Sequence, residues 1–134
     1  MSRTVVTPDG IGDPVTPYSH GILTDSKEIL FLAGQVPIDK DGNIVGSGDI
    51  EAQARCVYDN LEAVLKKAGM GWSNVVKFNI YLKRKEDRDR FTALRENDLF
   101  GKFYPGGDYP PSTLVFVDLY KEEFLIEIEA YAAR

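Results

Sequence analysis

The sequence is poor in the residues that most often carry chemistry on their own. Its 134 residues include one cysteine, one histidine and one tryptophan. A single cysteine, Cys56, excludes an internal disulfide. With no CxxC spacing and only His20 as histidine, no zinc-type ligand set is present. The missing disulfide suits a reducing compartment. No segment has the apolar length needed to span a bilayer, and MSRTVVTPDG lacks the apolar core of a signal peptide. A cytoplasmic protein with no membrane partner is expected. Positive charge is also short: 16 Lys and Arg against 21 Asp and Glu leave a formal charge of -5. Such a surface repels phosphate backbones and speaks against nucleic acid as a partner. Lys83, Arg84 and Lys85 are followed by Glu86, Asp87 and Asp89, the pattern of a solvated face. No glycine-rich phosphate loop occurs, because GSGD at 46–49 lacks the lysine such loops use. No GxSxG elbow accompanies His20.

What is there is an ordinary globular composition, 43% hydrophobic and 28% charged, without repeats or low-complexity runs. Residues 1–134 read as one domain. GILT at 21–24 and EILFLA at 28–33 are strand-like, and Asp25, Ser26 and Lys27 between them have turn chemistry, so a hairpin is expected. Pro37 and Asp41-Gly42 mark turns, the latter suited to closing a small hairpin. From Ile50 to Ala68 the period changes. Ile50, Ala54, Val57, Leu61, Val64, Leu65 and Ala68 recur at steps of three and four, the face of a helix. Asp49 is placed to cap it, Lys66 and Lys67 suit its last turn, and Gly69 ends it.

NVVKFNIYLK at 74–83 alternates, with Val76, Phe78, Ile80 and Leu82 on one side. A second helix is expected over Glu86 to Phe103, although Phe91, Leu94, Leu99, Phe100 and Phe103 spread around its axis. TLVFVDL and FLIEIEAYAA are the last two strands. The order hairpin, helix, strand, helix, strand, strand is an α+β plan: a single sheet with two helices packed on one face. Two helices leave the other face bare, yet TLVFVDL is apolar on both sides. A sheet face open to water should alternate with polar residues. A second chain is therefore expected to cover it.

Few residues stand out as chemistry. His20 suits either a structural role or a pocket wall. Cys56 falls on the first helix and reads as a small packed hydrophobe. Glu127 and Glu129 share a strand face with Leu125 and Tyr131. That face is either solvated or, in a central strand, holds a carboxylate whose raised pKa suits proton transfer near neutrality.

Three ordered segments carry a family resemblance: PYSHGILTDSKEILFLAGQVPID, GDIEAQARCVYDNLEAVLKKAGMGWSNVVKFNIYL and IEIEAYA. Together they resemble the reactive-intermediate deaminase (Rid, or YjgF-like) family, from about Pro17 to the end. The resemblance implies a chorismate-mutase-like α+β fold, a homotrimer with clefts between subunits, and hydrolysis of small enamines or imines to a keto acid and ammonia. It implies no metal and no cofactor. It also implies catalytic roles for Tyr18, which matches a pocket tyrosine, and for Glu127, which matches a glutamate that positions water. Gly34 and Gln35 match a GQ loop. Asn97 or Arg95 matches a pocket asparagine.

The sequence departs from the family pattern at one corner. Deaminases of this kind carry an arginine, as in PARS, that grips the substrate carboxylate with its planar fork. Here the corner reads Pro110-Pro111-Ser112-Thr113, and the arginine's place is read as Pro111. The corner is expected to present the hydroxyls of Ser112 and Thr113 to the cleft. The serine or threonine often found before GQ is replaced by Ala33. Three functions stay open: a cofactor-free hydrolase of a small imine or related metabolite, a non-catalytic small-ligand binder or regulatory trimer, and a ribonuclease or translation inhibitor. The last is opposed by the acidic charge and the single histidine.

Overall fold

A computed structural model describes residues 3–134. Its elements are β1 (Arg3–Val6), β2 (Gly21–Thr24), β3 (Ile29–Gln35), α1 (Ile50–Lys67), β4 (Val75–Leu82), α2 (Arg88–Leu94), α3 (Phe100–Phe103), β5 (Ser112–Phe116) and β6 (Ile126–Ala133). A π turn over Arg95–Leu99 joins α2 to α3. The main sheet has the order β3-β6-β4-β5, with β4 and β5 parallel and the other pairs antiparallel.

Helix α1 forms where the 3.6-residue period placed it. The Asp49 carboxylate accepts from the Glu51 and Ala52 amides at 3.0 and 3.2 Å, and Gly69 turns the chain at φ +73°. Its apolar stripe, Ile50, Ala54, Val57, Leu61 and Leu65, is fully buried against the sheet. Tyr58 sits at the centre of an aromatic cluster with Trp72, Phe78, Phe91, Phe100 and Phe103. Gln53 is buried on the same stripe. It donates to the Glu123 carbonyl at 2.9 Å and accepts from the Leu125 amide at 2.8 Å, fixing the entry to β6.

Three expectations need correction. The hairpin between Gly21–Thr24 and Glu28–Ala33 does not form: β2 pairs with β1, and β3 with β6. The turn residues are tied elsewhere. The Lys27 and Glu28 amides donate to the Arg134 carbonyl at 3.1 and 2.9 Å, and the Arg134 amide returns a bond to Glu28 at 3.0 Å. The segment between the strands is thereby spent on the end of β6. The strands consequently form a four-stranded sheet and a separate β1–β2 ladder rather than one sheet. The second helix is not uniform either. Its π turn widens the spacing, so that Phe91, Leu94, Arg95, Leu99 and Phe100 are all buried. This is why the apolar residues do not fit one α-helical stripe.

Both helical segments lie on one face of the sheet, over Phe78, Ile80 and Leu82. The other face carries Lys77, Asn79 and Tyr81 from β4, Glu127, Glu129 and Tyr131 from β6, Thr113 and Val115 from β5, and Phe31 from β3. Phe31 and Ile29 are 72% and 59% exposed, and Phe31 packs edge-on against Tyr131 at 5.5 Å.

Candidate functional site

The Pro110-Pro111 corner brings three parts of the chain together. Proline fixes φ and removes a donor, so the chain enters β5 stiffly. The Pro111 carbonyl accepts from the Phe78 amide at 3.0 Å, and the Pro110 carbonyl from the Ser19 amide at 3.4 Å. The first bond starts the β4–β5 ladder. The second docks the Tyr18 segment beside it. Between them opens a cleft of about 260 Å³ lined by Thr16, Tyr18, Arg88, Thr92, Arg95, Ser112 and Leu114.

Counted place by place against PARS, the arginine's position is Ser112 rather than Pro111, and it is Ser112 that lines the cleft. Thr113 does not join it. Successive strand residues alternate in side, so Ser112 pairs beside Phe78 on the helix face while Thr113 pairs beside Asn79 on the open face. Thr113 accepts there from Lys77 Nζ at 2.9 Å.

Of the two candidates on the second helix, Arg95 lines the cleft and Asn97 is exposed. A helical wheel distinguishes them: Arg95 is four residues after buried Phe91, whereas Asn97 lies two further on and points away. Arg95 is only 2% exposed, and its guanidinium carbon sits 4.4 Å from the Phe91 ring centre and 5.7 Å from that of Phe100. Burial holds its pKa below the ordinary guanidinium value. Thr16, Arg88, Thr92 and Leu114 were not anticipated. The i, i+4 spacing of Arg88 and Thr92 and the shared side of Ser112 and Leu114 were the available signals.

Glu127 does not line this cleft. It lies on the open face, level with Tyr81 on β4. Ser112 is two strands away, level through Phe78 with Ala130, so the two residues are separated by ~10 Å across the sheet, ~10 Å along it, and the sheet itself. Glu127 instead meets β3. The register slips between Leu32 and Gln35, a bulge that sets Ala33 and Gly34 opposite Glu129 and brings Gly34 against the Glu127 side chain. A Cβ on Gly34 would overlap the Glu127 carboxylate. The absent side chain thus makes room for that carboxylate. Burial, and then the charge of Glu129, push the Glu127 pKa up. Glu129 is held by Asn79 and Tyr81, whose donors reach Oε1 at 2.9 and 2.8 Å. Gln35, the other GQ residue, donates to the Ala33 carbonyl at 3.3 Å.

The single chain therefore divides the expected site between two faces. Tyr18, Arg95 and Ser112 share the cleft; Gly34, Gln35, Thr113 and Glu127 do not. His20 Nε2 donates to the Gly12 carbonyl at 2.7 Å and packs edge-on against Tyr18, outside the cleft lining. Cys56 donates to the Ile38 carbonyl at 3.5 Å, and burial with Asp59 and Asp39 nearby pushes its thiol pKa up, away from nucleophilic use. Another cleft, of about 380 Å³, includes Arg134, but that guanidinium is taken by Glu28 at 2.9 Å and by the Gly69 carbonyl. Among the described residues no group of three or more His, Cys, Asp or Glu could hold a metal ion, and no helix is long and apolar enough to cross a membrane.

Comparison with known proteins agrees with this frame. A family model described as Endoribonuclease L-PSP matches residues 11–134. A RutC family protein of Synechocystis is 38% identical over 120 residues, 89% of this chain and 87% of its own length. A RutC family protein of Pyrococcus horikoshii is 37% identical, covering 97% of each chain. Among solved structures, the Rid-family protein YyfB of Yersinia pestis, itself of unknown function, is 33% identical and superposes over all of both chains with a TM-score of 0.86. The chain belongs to the Endoribonuclease L-PSP family and is similar along its length to proteins named for the RutC and Rid families.

Proposed function

We propose that the chain, as one domain, is a cofactor-free hydrolase of a small metabolite with a C=N bond, working in a cleft completed by a second copy of itself. The observation that carries the reading is the placement of Glu127. Its carboxylate is partly buried, raised in pKa, and fitted into a space that Gly34 leaves open, on a sheet face the chain's own helices do not cover. A carboxylate tuned upward is suited to take a proton from water near neutral pH. Exposed Ile29, Phe31, Val115 and Val117 on and beside the open face favour a covering partner, and a ring of three copies is the expected assembly.

In the proposed reaction Glu127 takes a proton from water as the oxygen attacks the imine carbon. Glu127 returns that proton to the imine nitrogen, giving a carbinolamine. Its C–N bond then breaks as the hydroxyl proton passes through Glu127 to the leaving nitrogen, which yields a carbonyl compound and ammonia. Tyr18 orients the reacting group from the neighbouring wall. The test is ammonia release from a freshly generated 2-aminoacrylate-type imine. Release above the spontaneous rate, lost in Glu127→Gln, is expected; an unchanged rate in that variant sinks the assignment.

A binder without turnover is the second reading, favoured by the guanidinium missing from the corner at Ser112. Ligand-induced stabilisation with no product over the same range would favour it.

A further inference from the structure

Among the described residues Arg95 is a buried cation with no hydrogen-bond or ion-pair partner. Its Nε is buried and makes no hydrogen bond. Among the described residues no carboxylate forms an ion pair with it; Glu96 and Tyr58 act on it only through space. The rings of Phe91 and Phe100 stabilise its charge but accept no conventional hydrogen bond from it. The other cation in the cleft, Arg88, is exposed and sits on Asp89 at 3.1 Å. The cleft thus holds one uncompensated positive charge. An unpaired buried charge is costly, and nothing in the fold uses this one. Hydroxyls of Thr16, Tyr18, Thr92 and Ser112 surround the same space, which is small enough for only a compact molecule.

We propose that this cleft binds a small monocarboxylate, gripped by the planar fork of Arg95 and flanked by the hydroxyls of Ser112 and Tyr18. One free charge matches a monoanion, and the fork matches a carboxylate. The anchor has moved across the cleft: the β5 wall carries Ser112 where the family resemblance expects arginine, and the helix wall carries Arg95. The ligand therefore lies with its charged end toward the π turn. This rests on reading the cleft as a metabolite site, but not on turnover.

The test is calorimetric and thermal-shift titration of the full chain at low ionic strength with pyruvate, its neutral methyl ester and inorganic phosphate. Pyruvate is expected to bind saturably and to raise the melting temperature; the ester is expected to do neither. Arg95→Leu is expected to weaken pyruvate binding by about tenfold or more while leaving the ligand-free melting temperature equal or higher, since a stranded charge is gone. A purely structural arginine would instead lower it. Arg95→Lys, which keeps the charge but loses the fork, should retain weakened binding, and it serves if the leucine variant does not fold. No saturable pyruvate binding, equal binding of acid and ester, or wild-type affinity in Arg95→Leu overturns the proposal. Preference for phosphate overturns the carboxylate assignment. Pyruvate binding without imine turnover leaves this proposal standing and removes the hydrolase reading; turnover without charge-dependent binding does the reverse.

Discussion

Gly34→Ala separates the geometry around Glu127 from the stability of the fold. A Cβ at position 34 would lie 2.8 Å from Glu127 Cδ and 3.0 Å from its Cγ, and closer still to Oε2. Carbon contacts in proteins settle at about 3.5–4.0 Å, so the carboxyl must swing aside by roughly 1 Å. Gly34 does not adopt a positive φ, so alanine fits the backbone, and the atoms it meets are the end of a flexible side chain. The change should therefore leave the melting temperature nearly unaltered, with any off-rotamer cost at Glu127 about 0.5–1.5 kcal/mol and partly offset by the lower chain entropy of alanine in the unfolded state. Catalysis should respond far more strongly, because displacing a reacting group by ~1 Å can cost on the order of 100-fold. A carboxylate pushed toward water also loses the burial that raises its pKa. The acid limb of kcat/KM should then move toward the ordinary carboxylate range. The assay is ammonia release against pH, beside thermal unfolding. A variant that melts like wild type and keeps the wild-type rate and acid limb would refute the role of the Gly34 space.

The raised pKa of Glu127 gives the wild-type profile a sign. A base must be ionised to work, so activity should rise with pH through a midpoint above 4.5, the ordinary value for this group. Glu129→Gln removes the charge that opposes this ionisation and should move the midpoint down, measured in the same pH profile. The matching stability contribution runs the other way. With its folded pKa raised, Glu127 favours the folded state below the unfolded pKa and loses that contribution as pH rises through the folded pKa. Gln53→Leu leaves the Leu125 amide and Glu123 carbonyl without partners and should cost roughly 1–3 kcal/mol in urea unfolding. Asp49→Ala removes the cap of α1 and should cost about 1 kcal/mol by the same measurement.

Legibility followed local periodicity. Helix α1, β4 and β6 each declare themselves through their own side chains: a 3.6-residue stripe with Asp49 before it and Gly69 after it, and the two-residue alternations of Phe78, Ile80 and Leu82 and of Ile126, Ile128 and Ala130. What stayed hidden depended on distant partners or on a broken period. Strand β1 is four residues long, and its sequence, RTVV, has no apolar alternation to declare it. The false hairpin looked sound because turn residues do not reveal that their amides are committed to Arg134. The π turn blurs the phase of the second helix as a whole, although the four-residue step from Phe91 already sets Arg95 apart from Asn97.

At the site, the residue types were legible but their sides were not all read. The alternation of β5 already separates Ser112 from Thr113. The alternation of β6 likewise puts Glu127 on the face opposite Ser112; the two-strand distance between them comes from sheet order, which no local pattern carries. The family resemblance brought these residues together without saying that one chain keeps them on opposite faces.

The most direct test of a shared site is subunit mixing. Glu127→Gln and Arg95→Leu chains are unfolded together, refolded as a mixture, and assayed for ammonia release. Each variant alone lacks one half of every site. If each site takes its glutamate and its arginine from different copies, activity should return to about a quarter of the wild-type rate in a random mixture. A mixture no more active than either variant, beside an active refolded wild type, would contradict the two-copy site.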